Sequence, residues 1–225
     1  MKNPKVTAWL QIFTAFVPVG LILFFSAWTI QYWQAWVFLC VGVASAALLT
    51  LFIIKDPVLL EGRTKRGGPA GEQRPIQKII VWCMVLPGLA IFIVPGLDRR
   101  FGWSAMPPWL VISGDVLILV AMWMVYRVFK ENSFGSATVE IAKDQRVIST
   151  GPYAIVRNPM YSSAVLYLIA MSLALGSYWG FIPAILMVLG FAWRLLDEEK
   201  LLAKDLPGYA EYQTKVRWHL IPGIF

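Results

Sequence analysis

The stretch that decides the fold is residues 6–54, VTAWLQIFTAFVPVGLILFFSAWTIQYWQAWVFLCVGVASAALLTLFII, which contains no Lys, Arg, Asp or Glu. At 1.5 Å per residue one helix of this length would extend for about 74 Å, more than twice the ~30 Å hydrocarbon core of a membrane. The chain must therefore turn back, and the polar, aromatic residues 29–34 predict the position of that turn. We expect two membrane spans, at 8–29 and 34–54, with Pro18 kinking the first.

Four more spans follow from the remaining apolar stretches. Two are predicted at 79–97 and 108–126, and a further uncharged stretch covers residues 158–193. This last stretch is again too long for one span, and its GSYWG sequence at 176–180 divides it into spans at 160–175 and 179–195. The predicted fold is all-α: a polytopic integral membrane protein with about six transmembrane helices.

The distribution of charge predicts the orientation. The chain carries 20 Lys and Arg against 13 Asp and Glu, and 18 of the basic residues lie at the N-terminus or within 55–78, 127–157 and 194–225. The positive-inside rule places these segments, and both termini, in the cytoplasm of a multi-pass protein of the cell (inner) membrane. Because topology accounts for the basic residues, we expect contacts with membrane lipids and none with nucleic acid.

The inventory of reactive side chains is small. His219 is the single histidine, and Cys40 and Cys83 are far apart in the sequence. A zinc site at ordinary spacing and a nucleophilic triad are both excluded, so no metal site is predicted. Any chemistry must come from a bound cofactor or from positioning alone.

Polar residues cluster on both sides of the last hairpin, 158–193. The first cluster is QRVISTGPYAIVRNPMYSS, starting at Gln145, in which Asn158 and Pro159 are typical of a helix N-cap and first turn. The second cluster starts at Arg194, which is four residues from Glu198 and so able to pair with it on one helix face. The hairpin brings both clusters to the same membrane face, where they would suit a polar, zwitterionic cofactor and a lipid-soluble substrate. A simple helix cap followed by an amphipathic tail is the alternative interpretation.

At these residues the sequence resembles the isoprenylcysteine carboxyl methyltransferase family, membrane enzymes that use S-adenosylmethionine. The resemblance covers about residues 110–225. Its motifs are VISTGPY at 147–153, RNPMY at 157–161, Arg194 with Glu198, Glu199 and Leu202, the pair Tyr209 and Tyr212, and Pro222. Asn158 stands where that family usually has His, and the NPMY form is similar to phospholipid N-methyltransferases.

The resemblance implies a transfer of a methyl group from S-adenosylmethionine to a lipophilic or small acceptor that enters from the bilayer. Arg194 would orient a substrate carboxylate, whereas an amine acceptor would need a base, for which Glu199 is the nearest candidate. A thiol acceptor stays open as well. The residues expected to bind the cofactor are Gln145, Arg146, Val147, Ile148, Gly151, Tyr153, Arg157, Asn158, Pro159, Met160, Tyr161 and Glu198.

The predicted organisation has two parts, N-terminal spans within 1–105 and a methyltransferase core within 106–225. Two other functions remain open. A sterol-reductase-like oxidoreductase using NADPH would share the C-terminal hairpin, and a non-enzymatic membrane protein or transporter would explain the intramembrane acid Asp115. The sequence predicts no oligomeric state.

Overall fold

The computed structural model describes residues 4–64, 72, 74–134 and 146–225. Within these ranges the chain forms helices and no strand, which confirms the predicted all-α class. The helices are α1 (Pro4–Ala27), α2 (Trp33–Ile53), α3 (Pro57–Thr64), α4 (Pro75–Phe101), α5 (Pro108–Glu131), α6 (Pro159–Ala174), α7 (Phe181–Asp205) and α8 (Tyr209–Lys215), with a 3-10 turn at Gly151–Ala154.

Four of these helices, α1, α2, α4 and α5, are long and apolar enough to cross a membrane. Large apolar side chains such as Leu21, Phe25 and Leu86 point outward from them with 67%, 74% and 77% of their surface exposed. In water such exposure would be costly, but towards lipid it is favourable. The structure therefore supports a multi-pass membrane protein.

The last two helices form the predicted hairpin but are less typical spans. α6 has 16 residues and is a shorter apolar helix, about 24 Å long. α7 has 25 residues, of which the first 13 are uncharged; the charged residues begin at Arg194, one residue before the predicted end of the span, and the helix continues to Asp205. The count of six spans, the sidedness of the termini and the division near residue 105 remain predictions.

Close helix packing fixes the position of the C-terminal hairpin. α5 packs along α6 more extensively than any other described pair of helices, and α4 packs between α1 and α7. A side chain at Gly114 on α5 would collide with the backbone of Ala170 and Ala174 on α6. Small residues at such crossings let membrane helices approach closely, as α5 and α6 do at Gly114.

The tail beyond α8 docks against the start of α6. The backbone N–H groups of Arg157 and Asn158 donate to the carbonyls of Trp218 and His219 at 2.9 and 3.0 Å. The Ser162 hydroxyl donates to the Leu220 carbonyl at 2.6 Å. These bonds bring the end of the chain beside the two polar clusters that flank the hairpin.

Candidate functional site

A cavity of about 610 Å³ lies among α5, α6, α7, α8 and the segment before the 3-10 turn. Its volume is in the range that holds a cofactor or drug-sized ligand. The residues that line it are Arg63, Ala121, Met122, Val125, Phe129, Asn132, Phe134, Arg146, Val147, Ile148, Tyr153, Arg157, Asn158, Pro159, Met160, Tyr161, Ser163, Ala164, Tyr167, Leu168, Phe191, Arg194, Glu198, Leu201, Leu202, Leu206, Tyr209 and Tyr212.

The cavity changes from polar to apolar along its length. On α5 its lining runs from Ala121 to Asn132, which is about 16 Å along the helix axis, or half of a hydrocarbon core. The end near Asn132 and Arg146 is polar, and the end near Ala121 and Leu168 lies among the apolar turns of α5 and α6. This shape suits a polar group at one end and an apolar group at the other.

Tyr161 and Glu198 join the two polar clusters inside this cavity. The Tyr161 hydroxyl donates to Glu198 Oε2 at 2.7 Å, and the Tyr161 ring meets Phe191 edge to face at 5.9 Å between centroids. Burial raises the pKa of Glu198 above its ordinary value, against the opposing effects of the Tyr161 hydrogen bond and the Arg194 charge. Within the described residues Glu198 Oε1 has no hydrogen-bond donor, so this oxygen is available to a ligand.

Arg157 and Glu199 form a buried ion pair behind the cavity wall. Arg157 Nε and Nη2 donate to Glu199 Oε1 and Oε2 at 2.9 and 3.1 Å, and Nη1 donates to the carbonyls of Val216 and Arg217. His219 Nδ1 lies 3.0 Å from Glu199 Oε2. The Glu199 carboxylate is surrounded by these partners and does not line the cavity, so it is poorly placed to accept a proton from an acceptor there.

Asn158 begins α6 as expected, with Pro159 at the first helical position, but its side chain does not cap the helix. Its amide instead donates to Glu199 Oε1 at 2.5 Å. The carboxylate outcompetes a backbone cap because hydrogen bonds to charged groups are the stronger ones.

The pairing with Glu198 that the helix spacing allows for Arg194 does not form among the described residues. Arg194 Nη2 lies 2.5 Å from Oε1 of Glu72, and Nη1 donates to Gln77 Oε1 at 3.0 Å. Glu72 and Gln77, which precede and begin α4, were not identified from the sequence. Nothing in the sequence distinguishes Glu72 from the other two acids of residues 55–78, because its burial is seen only in the structure.

Tyrosines form part of the polar end. The Tyr153 hydroxyl accepts a hydrogen bond of 2.9 Å from Asn132, and Tyr212 donates to the Tyr153 carbonyl at 2.7 Å. Burial raises the pKa of Tyr153 to about 12 and also raises the pKa of Tyr209 and Tyr212. All three therefore stay protonated at neutral pH and present hydroxyl groups and aromatic faces.

Most of the sequence-predicted residues come together at this cavity. Those that line it are Arg146, Val147, Ile148, Tyr153, Arg157, Asn158, Pro159, Met160, Tyr161, Arg194 and Glu198. Gly151 does not; it has a φ of 56° at the start of the 3-10 turn, and its α-carbon faces Glu131. Gln145 lies outside the described residues. The sequence did not indicate the contributions of α3 and α5, such as Arg63 and Asn132. Among the described residues no group of His, Cys, Asp and Glu could hold a metal ion.

Comparison with known proteins gives one finding. Residues 109–207, less than half of the chain, match the phospholipid methyltransferase family. The matched segment contains α6, α7 and all of α5 except its first residue, and these helices supply much of the cavity wall. The match is consistent with the membrane methyltransferase superfamily. No curated protein matches the chain.

Proposed function

We propose that this protein is an integral membrane methyltransferase that transfers the methyl group of S-adenosylmethionine to a lipophilic acceptor. The observation that carries the proposal is the contact between Tyr161 and Glu198 in a cavity with one polar and one apolar end. The family match over 109–207 supports the same chemistry.

The residues at the polar end suit this cofactor. Its ammonium group would bind the open oxygen of Glu198, because a half-buried carboxylate is a strong acceptor for a cation. The carboxylate of the cofactor would form an ion pair with Arg146. Its adenine ring would stack against the aromatic rings of Tyr209 and Tyr212, whose centroids are 5.6 Å apart.

The bound cofactor would supply an electrophilic methyl group on a sulfonium. The protein then has to align the acceptor with that methyl group and keep water away. Phe191 and Leu168 line the same cavity as Tyr161, and their apolar side chains would keep water away from the methyl group. No general base is needed for a carboxylate or thiolate acceptor.

The acceptor would approach from the bilayer, because the apolar end of the cavity lies between helix turns at membrane depth. A carboxylate, an amine or a thiol on an amphiphilic molecule would fit this entry. The polar end lies on the predicted cytoplasmic side of the inner membrane, with both termini on that side, where S-adenosylmethionine is present.

Two other functions receive less support. A sterol-reductase-like enzyme would need cationic groups for the extra phosphate of NADPH, and two of the arginines that line the cavity, Arg157 and Arg194, already have anionic partners. A transporter would explain Asp115, whose two carboxylate oxygens are buried with no partner among the described residues. Asp115, however, does not line the cavity.

Calorimetry on the purified protein in nanodiscs tests the proposal. We expect binding of S-adenosylmethionine and of its demethylated product S-adenosylhomocysteine, and no binding of NADPH. Binding of NADPH alone would favour the oxidoreductase, and binding of neither cofactor would contradict an enzyme of either kind.

A further inference from the structure

An ion pair that α7 is expected to form is missing. Arg194 and Glu198 are four residues apart, so both side chains lie on the same helix face and within reach of each other. In the described part of the chain no ion pair joins them, although each still affects the pKa of the other through space. Something stronger must hold Arg194 in a different direction.

Glu72 and Gln77 provide that stronger interaction. The Glu72 side chain is only 1% exposed, and its Oε1 lies 2.5 Å from Arg194 Nη2. Gln77 is fully buried and accepts from Arg194 Nη1 at 3.0 Å. Arg194 thus gains two buried, charge-assisted partners on α4 and the segment before it, in place of one carboxylate on its own helix.

The contact is itself held in place by neighbouring groups. Gln77 Nε2 donates to Asp197 Oδ2 at 2.5 Å, and Asp197 forms a two-point ion pair with Arg74 at 2.6 and 3.1 Å. The start of α4 is thereby attached to α7, and the Arg194 guanidinium has little freedom to turn towards Glu198.

We propose that Glu72 is a positioning residue that keeps Arg194 away from Glu198, so that Glu198 stays free to bind the ammonium group of the ligand. The proposal rests on the proposed function for the identity of that ligand. It assigns a role to a residue outside the segment that matches the family. Without the Glu72 charge, Arg194 would turn to Glu198 on its own helix face and cover the binding oxygen.

A double-mutant cycle tests this role by calorimetry with S-adenosylmethionine. We expect Glu72→Gln to weaken binding about tenfold, because the ligand must then compete with Arg194 for Glu198. In the Arg194→Gln background the same Glu72→Gln change should have no effect, because the competing guanidinium is gone. Equal weakening in both backgrounds would overturn the proposal.

Two control variants separate positioning from folding. Glu72→Asp keeps the charge and should bind nearly as well as the wild type. Gly190→Ala crowds Met84 elsewhere along the same α4–α7 contact and should change at most the melting temperature, not the affinity. A tenfold loss of affinity in Gly190→Ala would show that any damage to this contact suffices, and would contradict a specific role for Glu72.

A ligand-free readout separates this inference from the proposed function. Carbodiimide coupling of an amine to accessible carboxylates, followed by peptide mass spectrometry, should label Glu198 in the wild type. Labelling should fall several-fold in Glu72→Gln and return in Glu72→Gln/Arg194→Gln. Unchanged labelling in Glu72→Gln would overturn the inference even if the protein binds S-adenosylmethionine, and the expected pattern would support it even if that ligand does not bind.

Discussion

Tyr161 on α6 and Glu198 on α7 are 37 positions apart in the sequence, and the hydroxyl of one donates to the carboxylate of the other at 2.7 Å. This hydrogen bond connects the two polar clusters that flank the last helical hairpin. It leaves the second oxygen of Glu198 facing a cavity that extends into the apolar part of the helices. The chemistry that we propose depends on this arrangement.

The affinity for S-adenosylmethionine should depend on the charge of Glu198. Burial raises the pKa of this carboxyl group, so it takes up a proton at a higher pH than an ordinary glutamate, whose pKa is about 4.3. Only the ionised form attracts the ammonium group. Affinity should be constant above the raised pKa and should fall by up to about tenfold per pH unit below it.

Calorimetric titrations at a series of pH values measure this dependence, and Glu198→Gln is the control. The variant should bind at least about tenfold more weakly at neutral pH and show no such dependence. A wild-type affinity that stays constant on acidification, or a variant with unchanged affinity, would contradict the role of Glu198.

The Arg157–Glu199 pair should matter for folding rather than for proton transfer. Both side chains are more than nine-tenths buried, and Arg157→Gln leaves the Glu199 carboxylate without its main partner. Removing one member of a buried pair typically costs about 3–5 kcal/mol. We expect a large fall in the melting temperature for Arg157→Gln and for Glu199→Gln.

The pH dependence of kcat distinguishes this role from that of a general base. Glu199→Gln, assayed below its melting temperature, should keep the wild-type profile. Loss of the acidic limb of that profile would show that Glu199 accepts a proton during catalysis.

The close crossing of α5 and α6 should not tolerate even one added methyl group. Gly114→Ala places a Cβ against the backbone of Ala174 and Ala170, which cannot yield as a flexible side chain would. Overpacking of this kind costs roughly 1–3 kcal/mol. Gly88→Ala on α4 is the matched control, because the nearest atom there is Met187 Sδ at 3.9 Å. Thermal unfolding in the same detergent should show a clear loss for Gly114→Ala only, and equal melting temperatures would refute this packing argument.

The apolar end of the cavity should admit the acceptor and not the cofactor. Met122→Trp would fill that end, whereas Leu119→Trp places the same ring on a half-exposed face of α5 that does not line the cavity. We expect Met122→Trp to lower methyl transfer to a lipid extract by more than about tenfold while the Kd for S-adenosylmethionine stays within about twofold. Equal activity of the two variants would show that the acceptor does not occupy this end.

The sequence predicts much of the helical framework because charge-free stretches and turn residues act locally. The turn at 29–34, the hairpin around 176–180 and the start of α6 at Pro159 all follow from local composition. The helices α4 and α7 extend beyond the predicted membrane spans, because arginines and acids at the helix ends continue the helix outside the apolar stretch.

The partners of the charged residues were harder to predict. Arg194 pairs with Glu72 across 122 positions, and Asn158 donates to Glu199 rather than to its own helix. Both outcomes depend on which carboxylate is buried nearby, which only the tertiary fold determines. The contribution of α5 to the cavity was missed for the same reason, since its apolar lining residues look like ordinary lipid-facing residues.

Transfer of an isotopically labelled methyl group tests the central claim most directly. The purified protein is incubated in nanodiscs with methyl-labelled S-adenosylmethionine and a membrane lipid extract, and the label is then counted in the organic phase. We predict time-dependent transfer that is strongly reduced in Glu198→Gln. No transfer above the protein-free control, in a preparation that is folded and binds S-adenosylmethionine, would contradict a methyltransferase with a lipophilic acceptor.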